Sequence, residues 1–93
     1  MVIKLKKPVT VNGQEYKELD AEFEKLTGAD LMKARAGLDP MEFNVDNFVP
    51  ALSMEYQAQV SALAAGVPFE VIKALPAQDF MHLTKTAQSF LLG

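Results

Sequence analysis

The sequence predicts an α+β fold: an N-terminal β-hairpin or small antiparallel sheet followed by about four α-helices. Three observations lead there. Apolar and polar residues alternate with a period of two through much of residues 1–20, and Asn12-Gly13 interrupts that alternation where a tight turn would sit. From Thr27 onward the apolar period lengthens to that of a helix.

In the first segment, Ile3 and Leu5 alternate with Lys4 and Lys6, and Val9 and Val11 with Pro8 and Thr10. A two-residue type I′ turn needs positive φ at both central positions, which an Asn-Gly pair tolerates. Residues Gln14 to Leu19 then return antiparallel, with Tyr16 opposite Val9. The apolar phase slips between Tyr16 and Leu19, so a bulge or an early end to the ladder is expected.

Thr27-Gly28-Ala29-Asp30 has the form of a helix N-cap, with an acid in the first turn where the helix dipole favours it. Leu31, Ala34 and Leu38 follow at helical spacing, and Gly37 near Asp39-Pro40 stops the helix. Asp39 to Val49 reads as a loop. Asn44-Val45-Asp46 gives it turn character, and Met41, Phe43 and Phe48 could tack it to the core.

A helix from about Pro50 to Ala65 comes next. Leu52, Tyr56, Val60 and Leu63 share one face; Ala51, Met54, Ala58, Ala62 and Ala65 lie on nearly the opposite one. A helix apolar on two sides is normally covered on two sides. Internal packing is the first reading of the small-residue stripe, and a subunit or client interface is the alternative. Gly66 ends this helix, and Val67-Pro68 restarts the chain with proline at a first helical position. Phe69, Ile72 and Leu75 form the apolar face of a short helix. Pro76 opens the last helix, with Phe80, Leu83, Ala87, Phe90 and Leu91 inward and Gln78, His82, Lys85 and Ser89 outward.

Ninety-three residues allow one domain, residues 1–93, made of a hairpin region (1–20) and a helical region (27–93). Hydrophobic residues at 49% and charged residues at 23% argue against wholesale disorder. The absence of cysteine excludes a disulfide framework and thiolate metal sites, and it fits a reducing cytoplasm. The N-terminal segment has no apolar h-region, and no uninterrupted apolar run approaches a membrane span, so neither a secretory signal nor a membrane partner is expected. With a net charge of −3 and no basic run longer than Lys6-Lys7, phosphate-driven nucleic-acid binding is disfavoured.

The residues that could carry chemistry are sparse. His82 is the single histidine, and Asp79 precedes it by three positions, within reach on a helix; the bland reading is a first-turn acid beside a solvated neighbour. Glu15, Glu18, Asp20, Glu22 and Glu24 form an acidic run that lacks the pattern of a calcium loop. The dispersed glycines make no phosphate cradle. The aromatic residues sit at core-like spacings without interleaved arginine, Arg35 being the only one, so base stacking is disfavoured too. Met32, Met41, Met54 and Met81 could line an adaptable binding surface, though core filling is the first expectation. No metal, cofactor or catalytic residue is expected, and the chain is read as a non-enzymatic binder.

Two stretches carry a family resemblance. One is Lys7-Pro8-Val9-Thr10-Val11-Asn12-Gly13-Gln14-Glu15-Tyr16-Lys17-Glu18-Leu19 with Leu26-Thr27-Gly28-Ala29-Asp30-Leu31. The other runs from Ala65-Gly66-Val67-Pro68-Phe69 through Leu75-Pro76-Ala77-Gln78-Asp79-Phe80, with Phe90-Leu91 at its far end. Together they resemble the small tail assembly chaperones of Mu-like and P2-like phages, the E, 41 or 14 group. The resemblance implies a protein of the bacterial host cytoplasm that binds the tape-measure protein and keeps it soluble until tail-tube subunits polymerise around it. The tail-tube protein is a candidate further partner. In this family a longer form is often made by ribosomal frameshifting near the end of the short reading frame, and the ending at Leu92-Gly93 is compatible with that. Outside the resemblance, the alternative is another small interaction module, such as a regulator or an antitoxin-like binder.

Leu52, Tyr56, Val60, Phe80, Leu83 and Phe90 are expected in the core, and Met54, Ala58, Ala62 and Leu92 as exposed protein-contact residues. The apolar supply is generous for a monomer of this length, so a homo-oligomer is expected as well.

Overall fold

The computed structural model describes residues 1–37 and 53–93. Strands β1 (Val2–Val11) and β2 (Gln14–Asp20) are followed by a 3-10 turn, Phe23–Lys25. Helices α1 (Gly28–Ala36), α2 (Met54–Ala65), α3 (Phe69–Lys73) and α4 (Ala77–Leu92) complete the described residues. The α+β expectation holds. The expected loop of Asp39 to Val49, with Met41, Phe43 and Phe48, lies outside the described residues, as do Leu38, Ala51 and Leu52.

β1 and β2 pair antiparallel about Asn12 and Gly13, whose φ values of 52° and 80° are both positive as a type I′ turn demands. Val9 faces Tyr16 and Ile3 faces Leu19, so the buried residues Ile3, Val9 and Leu19 share the inner surface of the hairpin. Between the Lys4–Glu18 and Val9–Tyr16 pairs, the four residues Leu5 to Pro8 stand against Lys17 alone. The slip falls where the alternation fails on β2, but the surplus residues belong to β1. Pro8 has no N–H to lose there, which suits it to a broken stretch of ladder.

Thr27 caps α1 through a reciprocal pair of hydrogen bonds. Its Oγ1 accepts from the Asp30 N–H at 3.4 Å, and its own N–H donates to Asp30 Oδ2 at 2.9 Å. Gly37 closes the helix in a right-handed conformation. A Cβ there would lie 2.7 Å from Nε2 of Gln59, so that side chain, which donates to the Gly37 carbonyl at 3.2 Å, would have to shift to admit one.

α2 begins at Met54, because Ser53 is extended and its Oγ accepts the Tyr56 N–H at 3.2 Å; Pro50, where the sequence suggested a start, lies outside the described residues. Gly66 ends it in the left-handed region, φ 67°, which glycine enters without a Cβ penalty. α1, α3 and α4 all pack against this helix. Its covered arc is therefore broader than the two-stripe pattern suggests. Tyr56, Ala58, Val60 and Ala62 are buried together with Gln57 and Ser61, whereas Leu63, which the helical period puts on one face with Tyr56 and Val60, is exposed. The buried polar groups are satisfied: Ser61 Oγ donates to the Gln57 carbonyl at 2.7 Å, and Gln57 Nε2 donates to Gln88 Oε1 on α4 at 3.1 Å.

Val71, Ile72 and Leu75 anchor α3 and the turn after it, and Leu83 and Ala87 anchor α4. Pro68 and Pro76 are N-caps, each just before its helix. Two residues expected in the core sit at its edge. Phe80 is half-buried, and Phe90 keeps 40% of its surface exposed while its ring leans on buried Phe23, centroids 5.7 Å apart. In the last turn of α4, Leu91 is half-buried and Leu92 is exposed.

Candidate functional site

A groove of about 320 Å³ opens where three helices and the end of α1 converge. Met54 and Ala58 of α2 line it four residues apart and therefore on one row, as Phe69 and Lys73 do on α3. Phe80 of α4 adds a third apolar wall, and Gly37, Glu55 and Gln59 complete the rim. The cap at Ser53 sets this up: it starts the helix at Met54, leaving that side chain 51% exposed at the mouth. Lys73 holds its Nζ 5.9 Å from the centre of the Phe69 ring, so its ammonium lies over an aromatic face.

The four expected contact residues divide. Met54 is at the groove mouth, and Leu92, 59% exposed, projects from the last turn of α4. Ala58 and Ala62 correct the expectation of exposure: they are 2% and 5% exposed, covered because neighbouring helices enclose both sides of α2. Ala58 still forms part of the groove floor. Glu55, Phe69 and Lys73 were missed. The clue was the Phe69–Lys73 spacing just after Pro68, which puts a cation and an aromatic ring on one short helix face.

The methionines also correct an expectation. Met32, Met54 and Met81 are all exposed rather than core-filling; Met41 lies outside the described residues. Met32 projects from α1, whose one buried residue is Ala34, and Met81 falls two residues from buried Leu83, on the far side of α4. Unbranched, polarisable side chains in such places suit a surface that adapts to its partner.

His82 is exposed, while Asp79 is buried and turned to the hairpin, where its Oδ2 accepts the Lys6 N–H at 2.9 Å. Hydrogen bonding and charge from Glu22 raise the Lys25 pKa at the solvated start of the helical region. Burial raises that of Tyr56, whose hydroxyl donates to the Leu31 carbonyl at 3.4 Å. Among the described residues no three His, Cys, Asp or Glu side chains gather as a metal site, and no helix is long and apolar enough to cross a membrane.

No curated protein and no solved structure matches the chain. A family model described as phage tail assembly chaperone proteins, E, or 41 or 14, matches residues 2–92, which takes in the hairpin, the groove helices and the exposed end of α4. The chain belongs to that phage tail assembly chaperone family.

Proposed function

We propose that this chaperone binds the tape-measure protein in the cytoplasm of the bacterial host and keeps it soluble until tail-tube subunits polymerise around it, without catalysing a reaction. The observation that carries the reading is the apolar groove of Met54, Ala58, Phe69 and Phe80, with exposed methionines beyond it. A long helical client presents apolar stripes that aggregate when free, and laying such a stripe into a groove removes it from water. Met54 supplies an adaptable contact at the mouth, and Leu92 a second contact at the end of α4. Ala62 serves packing instead. The tail-tube protein and further copies of this chain are additional partners in the reading, the latter through apolar surface left open at Phe90 and Leu92.

Co-expression with the tape-measure protein of the same phage tests this. The expected result is a soluble, co-purifying pair, with both properties diminished by Met54→Glu in a chaperone whose folding is confirmed by circular dichroism. A tape-measure protein that stays insoluble and fails to co-purify with the unaltered chain sinks the reading.

A further inference from the structure

We infer that the groove selects a client helix by the charges beside its apolar stripe: a lysine or arginine on one flank, set against Glu55, and an aspartate or glutamate on the other, set against Lys73. The inference rests on the function proposed above and names the kind of segment that function requires. Glu55 stands on α2 and Lys73 on α3, two helices that border the same apolar floor. Among the described residues neither is ion-paired, although opposite charges at one groove could have been placed to neutralise each other. The Lys73 ammonium lies over the Phe69 ring instead, 5.9 Å from its centre.

Apolar contact alone does not distinguish one stripe of a long client from another. A rim with one anion and one cation does, because a helix laid in the wrong direction or register brings like charges together. Charge complementarity thus favours a partner helix with mixed flanks over a uniformly basic or uniformly acidic one.

Overlapping peptides spanning the tape-measure protein, titrated against the full chain by fluorescence anisotropy, provide the test. The tightest peptides should carry oppositely charged flanks. Glu55→Lys and Lys73→Glu should each weaken them about fivefold, and reversing one flanking charge of the peptide should restore affinity to within about twofold. If both variants bind as the unaltered chain does while Met54→Ser loses affinity, the charge inference is overturned and the proposed function stands. An effect at only one position overturns the two-sided arrangement. Failure of every tape-measure peptide to bind overturns both readings. Self-association of the chain that Glu55→Lys abolishes would assign the groove to a second copy, overturning the client assignment.

Discussion

The backbone N–H of Lys6 donates to Oδ2 of Asp79 at 2.9 Å, a bond spanning 73 positions of the chain. Lys6 lies in the broken stretch of β1, where the ladder to β2 is interrupted. Asp79 is in the first turn of α4, where a carboxylate also meets the positive end of the helix dipole. One buried acid therefore joins the hairpin to the last helix.

Asp79→Ala should destabilise the fold by about 1–2 kcal/mol, since it strips the Lys6 N–H of its acceptor and removes a favourable first-turn charge. Asp79→Asn keeps an acceptor oxygen and should cost about half as much. Urea unfolding of the three proteins separates these contributions. Equal and negligible losses in both variants would show that the bond contributes nothing net.

Leu83 is fully buried on the inner face of α4, so Leu83→Ala should cost about 3 kcal/mol through lost transfer energy and the cavity left behind. Met32→Ser, at a side chain three-quarters exposed (75%), should change stability by less than about 0.5 kcal/mol. Thermal or urea melts read both. A loss for Met32→Ser as large as that for Leu83→Ala would mean that the outer side of α1 is covered.

Burial raises the pKa of Tyr56 above the ordinary tyrosine value of 10.0. As pH climbs past about 10, the unfolded chain gives up this proton first and then binds fewer protons than the folded chain, so stability falls with rising pH. The contribution is fully present below pH 10 and is lost as pH passes through the raised value. Tyr56→Phe should flatten the decline measured between about pH 9 and pH 11. Parallel curves for the two proteins would count against a buried, neutral hydroxyl.

What the sequence determined by itself was local. The Asn12-Gly13 turn, the Val9–Tyr16 pairing, the Thr27 cap and the Gly66 stop each depend on backbone conformations and hydrogen bonds within a short stretch of chain. Side-chain type restricts those conformations directly, so they can be read without knowing what lies across the molecule. Tertiary structure decided everything that depends on which surface meets which. Periodicity showed that α2 has two apolar faces, but only the arrival of α1, α3 and α4 covered Ala58 and Ala62 and left Met54 at a groove mouth. Asp79 carries the same lesson, because a first-turn acid has the same sequence signature whether water or a distant backbone N–H solvates it. Burial is a property of pairs of surfaces, and one strip of residues specifies only its own half of each pair.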